Sequence, residues 1–556
     1  MPKVTFYPSE QVILVEAGCT ILDAVRTAGL VLESPCNAME ICGKCKVKID
    51  AGSMSNISFS GEHCLSNDEL SQGYVLACGT RIGGDIAVTL ADPEQNDTLQ
   101  IISQGNVLEL KPDSYIKREY DPGTGQSKIY AGDRFIGIET DASASIYGMV
   151  VDIGTTTLVA ALVDLESGRE LGSKSTLNPQ AVYAQDVLSR IKMASEAQGL
   201  ATLHTLVIAA INQMIAELSQ ENGIKREQIY ELVFSGNTCM LHLAAGVSPY
   251  SLGKYPYEPK IYGGEYWLAQ DLGIAAAPLG VIYMPSIISA FIGADISSGI
   301  LAAQLHRKKG VTLFVDIGTN GEMVIACHGS IAATSTAAGP AFEGMNISHG
   351  MRAAQGAIEY FAIDNSGAVT VRTIGNADPT GICGSGIMDI VGELAAHRLI
   401  TNRGKLVDPS QSFILPALQP RFKKLDGKMA FEVAANTYIT QKDIRQVQLA
   451  KGAVRAGIDF LLRSQNLNAI DVDRVLIAGS FGYHLQAQSL INLGLLPGEF
   501  KDKIEFVGNT SKSGGMAYLL NIAYRDEMDQ RVKEIQVIEL ANYKDFDKVF
   551  VSCLDF

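Results

Sequence analysis

Short apolar runs that lead into glycine-bearing or polar turns recur along this chain. At the start, Val4 to Tyr7 and Gln11 to Val15 read as two strands, with Pro8-Ser9-Glu10 as the turn between them. Thr20 followed by Asp23 is a capping-box-like helix start; Ile21, Leu22, Val25 and Ala28 then share one face, and Gly29 suits the position past the helix end. Further on, Tyr147 to Val151 and Val311 to Val315 each run into the same phrase. It reads Asp-Ile-Gly-Thr-Thr at 152–156 and Asp-Ile-Gly-Thr-Asn at 316–320. A third run, Val475 to Ala478, ends in the closely spaced Gly479 and Gly482. Between 93 and 147 the pattern weakens. Pro112, Pro122 and Gly123-Thr-Gly125 break a polar segment whose candidate strands are Val107 to Leu110 and Phe135 to Ile138. The uncharged span from Leu272 to Ala294 is long enough to cross a bilayer. Pro278, Pro285 and several glycines interrupt it, so it reads as a buried strand leading into a packed helix.

Length and composition set the frame. At about 150 residues per domain, 556 residues suggest three or four domains. The expected divisions are 1–92, 93–147, 148–310 and 311–556, an α/β multidomain chain. The opening hairpin and helix are how a β-grasp domain begins. A formal net charge of −15 with no Lys/Arg block argues against nucleic acid as a partner. Met-Pro-Lys-Val-Thr-Phe-Tyr-Pro lacks a signal-peptide apolar region, and ten cysteines then imply ligands or catalytic groups in a reducing, cytoplasmic setting. No membrane partner is expected.

Three of those cysteines, Cys36, Cys42 and Cys45, sit on one short segment, and Cys78 follows in Val75-Leu-Ala-Cys-Gly-Thr. Three thiolates on a loop and a fourth from a distant segment suit a [2Fe–2S] cluster, with Gly43 letting backbone N–H groups reach the cluster sulfurs. Zinc is the competing reading, since Cys42-x2-Cys45 is half a zinc site, but Cys78 has no paired neighbour. Cys64 competes weakly for the fourth place. The first gap is five residues where the plant-type spacing has four, and in this the module resembles the adrenodoxin-like ferredoxins.

The repeated Asp-x-Gly-Thr turn meets the needs of a phosphate clamp: the glycine lets backbone N–H groups approach phosphate oxygens, and the aspartate holds a metal ion or water. Two such turns followed by the Gly479–Gly482 element resemble the superfamily of acetate and sugar kinases, Hsp70 and actin. That resemblance implies a duplicated ribonuclease-H-like ATPase fold. It places Gly154, Thr155, Thr156, Gly318, Thr319 and Asn320 at phosphates, and Asp152 and Asp316 by Mg²⁺. Gly479, Ser480 and Gly482 would lie at the nucleoside. Asp186 would polarise the attacking water, with Glu322 as its competitor.

Several phrases narrow the resemblance: Asp316-Ile-Gly-Thr-Asn-Gly-Glu322, Ala338-Gly-Pro-Ala-Phe-Glu-Gly344, Gly381-Ile-Cys-Gly-Ser-Gly386 and Gln446-Val-Gln-Leu-Ala-Lys-Gly-Ala453. Behind a ferredoxin-like module, they resemble the reductive activators of corrinoid-dependent methyltransferases. What this implies is ATP-driven delivery of one electron from the cluster to a corrinoid protein, converting Co(II) to Co(I), with a separate low-potential donor refilling the cluster. Thr334-Ser-Thr336, read as a loop, is the candidate surface for the corrinoid. The rival readings are an activator of the 2-hydroxyacyl-CoA dehydratase type, a ferredoxin-fused small-molecule kinase and a redox adaptor. The later cysteines, Cys239, Cys327, Cys383 and Cys553, are scattered without a CxxC pair, which disfavours the first.

Overall fold

Val4 and Phe6 alternate inward along the strand Lys3–Tyr7, and the five-stranded sheet built around that strand is the first structural unit, Met1–Asp97. In the computed structural model, the described residues are 1–7, 11–28, 30, 32, 45–60, 65, 67–90, 99–103, 106–110, 112–140, 145–184, 186–344, 346–351, 353–425, 427–479 and 485–556. Lys3–Tyr7 pairs antiparallel with Gln11–Leu14 and parallel with Ile86–Thr89. Ile86–Thr89 pairs antiparallel with Lys46–Ile49, and that strand with Tyr74–Leu76. The helix Ile21–Thr27 opens on the expected box. The Thr20 hydroxyl donates to Asp23 Oδ2 at 2.6 Å, and the Asp23 N–H donates back to Thr20 Oγ1 at 3.1 Å. Its Ile21, Leu22 and Val25 enter the core with Val47, Val75 and Val88.

The second unit is Thr98–Phe556. The segment with the weak pattern is a hairpin, Leu99–Ser103 with Asn106–Leu110, then a three-stranded antiparallel sheet of Ile116–Asp121, Gln126–Ala131 and Arg134–Glu139. Ile116, Ile129 and Ile136 join a core shared with both sheets that follow.

Those two sheets repeat each other. In the first, Tyr147–Ile153 lies antiparallel to Thr157–Asp164 and parallel to Ile229–Gly236, with Glu170–Leu177 beyond the former and Val281–Met284 beyond the latter. In the second, Val311–Ile317 lies antiparallel to Gly321–Cys327 and parallel to Arg474–Ala478, flanked in the same order by Ser330–Thr336 and Ile504–Gly508. Both central strands are covered on both faces, which is why they read as near-continuous apolar runs. The uncharged span becomes the strand Val281–Met284 and the entry to the helix Ala294–Ala302. The helix Ala197–Glu221 is long and apolar enough to cross a membrane by length and composition. Here its Leu203, Val207, Ile211 and Ile215 are buried in the core of the first sheet.

The halves meet through Ala294–Ala302 and Thr510–Leu520. Small residues allow the approach: a Cβ on Gly514 would lie 2.1 Å from the Ser298 carbonyl oxygen, and one on Gly515 2.4 Å from Val150. One expectation fails outright. Thr334-Ser-Thr336 is the end of the strand Ser330–Thr336 and not a surface loop; the Thr334 hydroxyl donates to Ile538 O and the Thr336 hydroxyl to Gly321 O, both buried.

Candidate functional site

The site is a cavity of about 470 Å³ in the second unit, with both repeated turns on its walls. Each turn follows a central strand whose sixth residue is the aspartate, Asp152 or Asp316. The Gly154 N–H donates to Thr157 O and the Gly318 N–H to Asn320 O, each at 3.0 Å, so both turns close on themselves. Thr156 Oγ1 and Thr319 Oγ1 then meet across the cavity at 3.2 Å. Gly479 closes the wall beside Asp316: its φ is +119°, and a Cβ there would lie 2.5 Å from Ile317 O. Ser480 and Gly482 lie outside the described residues.

The first turn is braced from behind. Arg190, fully buried, donates to Thr155 O at 2.7 Å, to Gln180 Oε1 at 3.0 Å and to Ala184 O at 3.0 Å. Burial holds its pKa down to about 10. Asn178 Nδ2 donates to Gly154 O at 2.9 Å, and Asn237 Nδ2 to Thr155 Oγ1 at 3.0 Å. Asp186 does not line the cavity. It is exposed and caps the helix Val187–Met193, accepting from the Ser189 N–H at 2.9 Å. An aspartate ahead of a helix serves as a cap by its short acceptor side chain; here that helix carries Arg190 to the turn.

Six acids line the cavity, Asp152, Asp295, Asp316, Glu322, Glu343 and Glu359, and the first four have raised pKa values. Burial, then the neighbouring Asp152, pushes Asp316 up to about 7. Burial, then Asp316 and Asp152, pushes Asp295 up to about 8. Glu322 is raised well above its ordinary range by burial and by Asp295 and Asp316. Asp152 is also raised by burial, against the pull of Asn509 and Ser511. Asn509 Nδ2 donates to Asp152 Oδ2 and Ser511 Oγ to Asp152 Oδ1, both at 2.8 Å. Like charges crowded in a dry pocket favour the protonated forms, and a cation reverses this. Among the described residues, no three acid, histidine or cysteine side chains gather closely enough to cage a metal unaided.

Asp295, Asn509, Ser511, Asn237 and Glu343 line this cavity without having been singled out for a role. One signal was available: Gly-Asn-Thr ends a strand at 236–238 and again at 508–510, and each asparagine caps the next helix.

In the first unit, Cys45 precedes Lys46–Ile49 and Cys78 follows Tyr74–Leu76. Antiparallel pairing of those strands brings the two thiols together, buried, with Sγ atoms 3.2 Å apart. Cys36 and Cys42 lie outside the described residues. Two convergent buried thiols fit half of a four-thiolate cluster cage.

Residues 4–83 match the 2Fe-2S iron-sulfur cluster binding domain, residues 147–308 the RACo middle region, and residues 310–556 the C-terminal domain of RACo, the ASKHA domain. The chain is 28% identical over 557 residues to the corrinoid activation enzyme RamQ of Eubacterium limosum, covering 93% of each protein. It is 26% identical over 432 residues to the Co(II) methylated amine-specific corrinoid protein reductase of Methanosarcina barkeri, covering 74% of this chain and 77% of that protein. A solved structure of a reductive activator for corrinoid, iron-sulfur protein matches at TM-score 0.74 and 30% identity, over 100% of this chain and 98% of that one.

Proposed function

The chain belongs to the family of reductive activators of corrinoid proteins, and on that premise we propose that it uses ATP to drive one electron from its [2Fe–2S] domain onto the cobalt of a corrinoid protein, returning Co(II) to Co(I). The observation that carries this reading is the coexistence, in one chain, of a cluster-binding domain and an acid-lined cavity clasped by two copies of one phosphate-type turn. The enzyme is thus a corrinoid protein reductase that hydrolyses ATP.

The chemistry explains why both parts are needed. A plant-type cluster supplies electrons near roughly −400 mV, and each ~100 mV uphill costs about 2.3 kcal/mol per electron. A deficit of a few hundred millivolts therefore has to be met by coupling to another reaction. Nucleotide does this only if it binds open and closed forms of the fold with different affinity.

The residues support defined roles. Gly154, Thr155 and Thr156 would take phosphate oxygens from one side, and Gly318, Thr319 and Asn320 from the other. Asp316 and Asp152, with Asp295 and Glu322 behind them, would hold Mg²⁺ and its waters, and Gly479 would border the nucleoside. The cluster, held by Cys36, Cys42, Cys45 and Cys78, supplies one-electron transfer. Cys45 and Cys78 would contribute two ligand sulfurs already converged in a buried position, and an external low-potential donor would re-reduce the cluster after each transfer.

The test mixes reduced protein with a Co(II) corrinoid protein, with and without Mg-ATP, and follows the Co(I) absorption. Co(I) is expected only with the nucleotide. Equal rate and extent without it would remove the ATP-driven reading.

A further inference from the structure

The phrase Ala338-Gly-Pro-Ala-Phe-Glu-Gly344 grips the second phosphate-type turn at two points. The Gly339 N–H donates to Thr319 O at 2.9 Å, and the Thr319 hydroxyl donates to Glu343 Oε1 at 2.5 Å. Glu343 closes the short helix Pro340–Glu343 and lines the cavity. Its second oxygen, Oε2, is buried and has no hydrogen-bond partner among the described residues. A buried carboxylate oxygen without a donor is costly to keep, and such groups mark places where a ligand or water completes the site.

Proton bookkeeping in this chain is restrictive. An ionised carboxylate only accepts, and each threonine hydroxyl has one proton. Thr319 has committed its proton to Glu343, so across the 3.2 Å contact Thr156 must donate to Thr319. Both hydroxyl protons are therefore engaged by protein acceptors. A terminal phosphate is itself acceptor-only, so these threonines bind it only by rotating their protons onto it. That rotation breaks the Thr319–Glu343 bond.

Resting on the ATP-hydrolysis reading above, we propose that Glu343 is the general base of this cavity, held in reserve by the Thr319 hydroxyl and released when that hydroxyl turns to the γ-phosphate. Once freed, Oε1 accepts from a water. The water oxygen forms its bond to the γ-phosphorus as the bond to the β-phosphate oxygen breaks. The water proton passes to Glu343, and ADP leaves with the bonding electron pair. The role expected of Asp186 moves to a residue on the cavity wall, and phosphate binding and base activation become one rotation of one hydroxyl.

The experiment measures ATP affinity and steady-state hydrolysis with Mg²⁺ for the full chain and its Glu343→Gln variant. A general base contributes about 10²–10⁴-fold. The variant is expected to lose at least ~100-fold in kcat. It should keep ATP affinity within about threefold. Glu343→Ala should regain part of the rate when formate is added. If wild type does not turn over ATP, the hydrolysis reading itself falls. If wild type hydrolyses and the Gln variant matches it within threefold, or if affinity falls in step with rate and formate restores nothing, Glu343 is not the base.

Discussion

Asn509 and Asp152, 357 positions apart in sequence, are joined by a 2.8 Å hydrogen bond from the Asn509 amide to the Asp152 carboxylate. Asn509 also caps the helix Thr510–Leu520 through the Lys512 N–H at 2.8 Å. One side chain thus ends a helix of the second half and restrains the acid of the first. Asn509→Ala should lose both, at about 1.5–3 kcal/mol for a bond to a charged group and ~1 kcal/mol for a cap. Urea unfolding of the variant should show a lower midpoint with unchanged slope. A stability equal to wild type would mean the clasp carries nothing.

Asp316→Asn should abolish ATP-dependent Co(I) formation and lower ATP hydrolysis at least ~100-fold while leaving the visible spectrum of the cluster unchanged. The first unit forms its own core, so its colour is an internal control. A variant that hydrolyses ATP normally would show that the acids of this cavity do not serve the nucleotide.

The acids also set a pH dependence. Asp316 and Asp295 keep their protons in the folded chain up to about 7 and about 8, whereas the unfolded chain releases them near 3.8. Between those limits the folded chain binds more protons, so this pair makes stability fall as pH rises through the window. Without nucleotide, melting temperature should be lower at pH 8 than at pH 6. Mg-nucleotide should raise it more at pH 8, since the cation offsets the exposed repulsion. Melting curves at both pH values with and without Mg-ADP measure this, and equal nucleotide shifts would contradict it.

Cys78→Ser should leave ATP hydrolysis in place but remove the iron–sulfur absorption and all Co(I) formation. Metal analysis of the wild-type protein after anaerobic purification decides the parallel question. Iron with inorganic sulfide is expected; a colourless protein holding zinc would end the electron-transfer reading.

Arg190→Met should raise the ATP concentration for half-maximal hydrolysis by about tenfold, or about 1.4 kcal/mol. Methionine fills the buried volume but cannot hold the Thr155 carbonyl. An unchanged value would show that Asn178 and Asn237 fix the turn alone.

The parts of this molecule that could be read from the chain are those whose chemistry is local. Asp-Ile-Gly-Thr announces itself because strand, tight turn and acid are adjacent in sequence, and both turns stand on the cavity wall. The Thr20–Asp23 cap needs only a three-residue offset and is present. Asp295 and Ser511 reach the site through helix packing between the halves, where no spacing rule links residues so distant, and Asn509 is signalled only by the Gly-Asn-Thr phrase it shares with Asn237. Asp186 shows the opposite hazard: an aspartate before an apolar helical stretch is written identically whether it caps or catalyses, and only its exposure separates the two. Thr334 and Thr336 resemble loop residues by composition, yet their hydroxyls are satisfied by neighbouring backbone, which lets them lie buried in a strand.

Where Gly514 lies against Ser298, main chain touches main chain with no side chain between them. Around it the two helices interlock, with Ile296, Ile300 and Leu301 sharing one core with Met516, Leu519 and Leu520. The approach therefore fixes how near the helix that carries Asp295 comes to the helix that follows Asn509, and any side chain larger than hydrogen at 514 would push those two walls of the cavity apart.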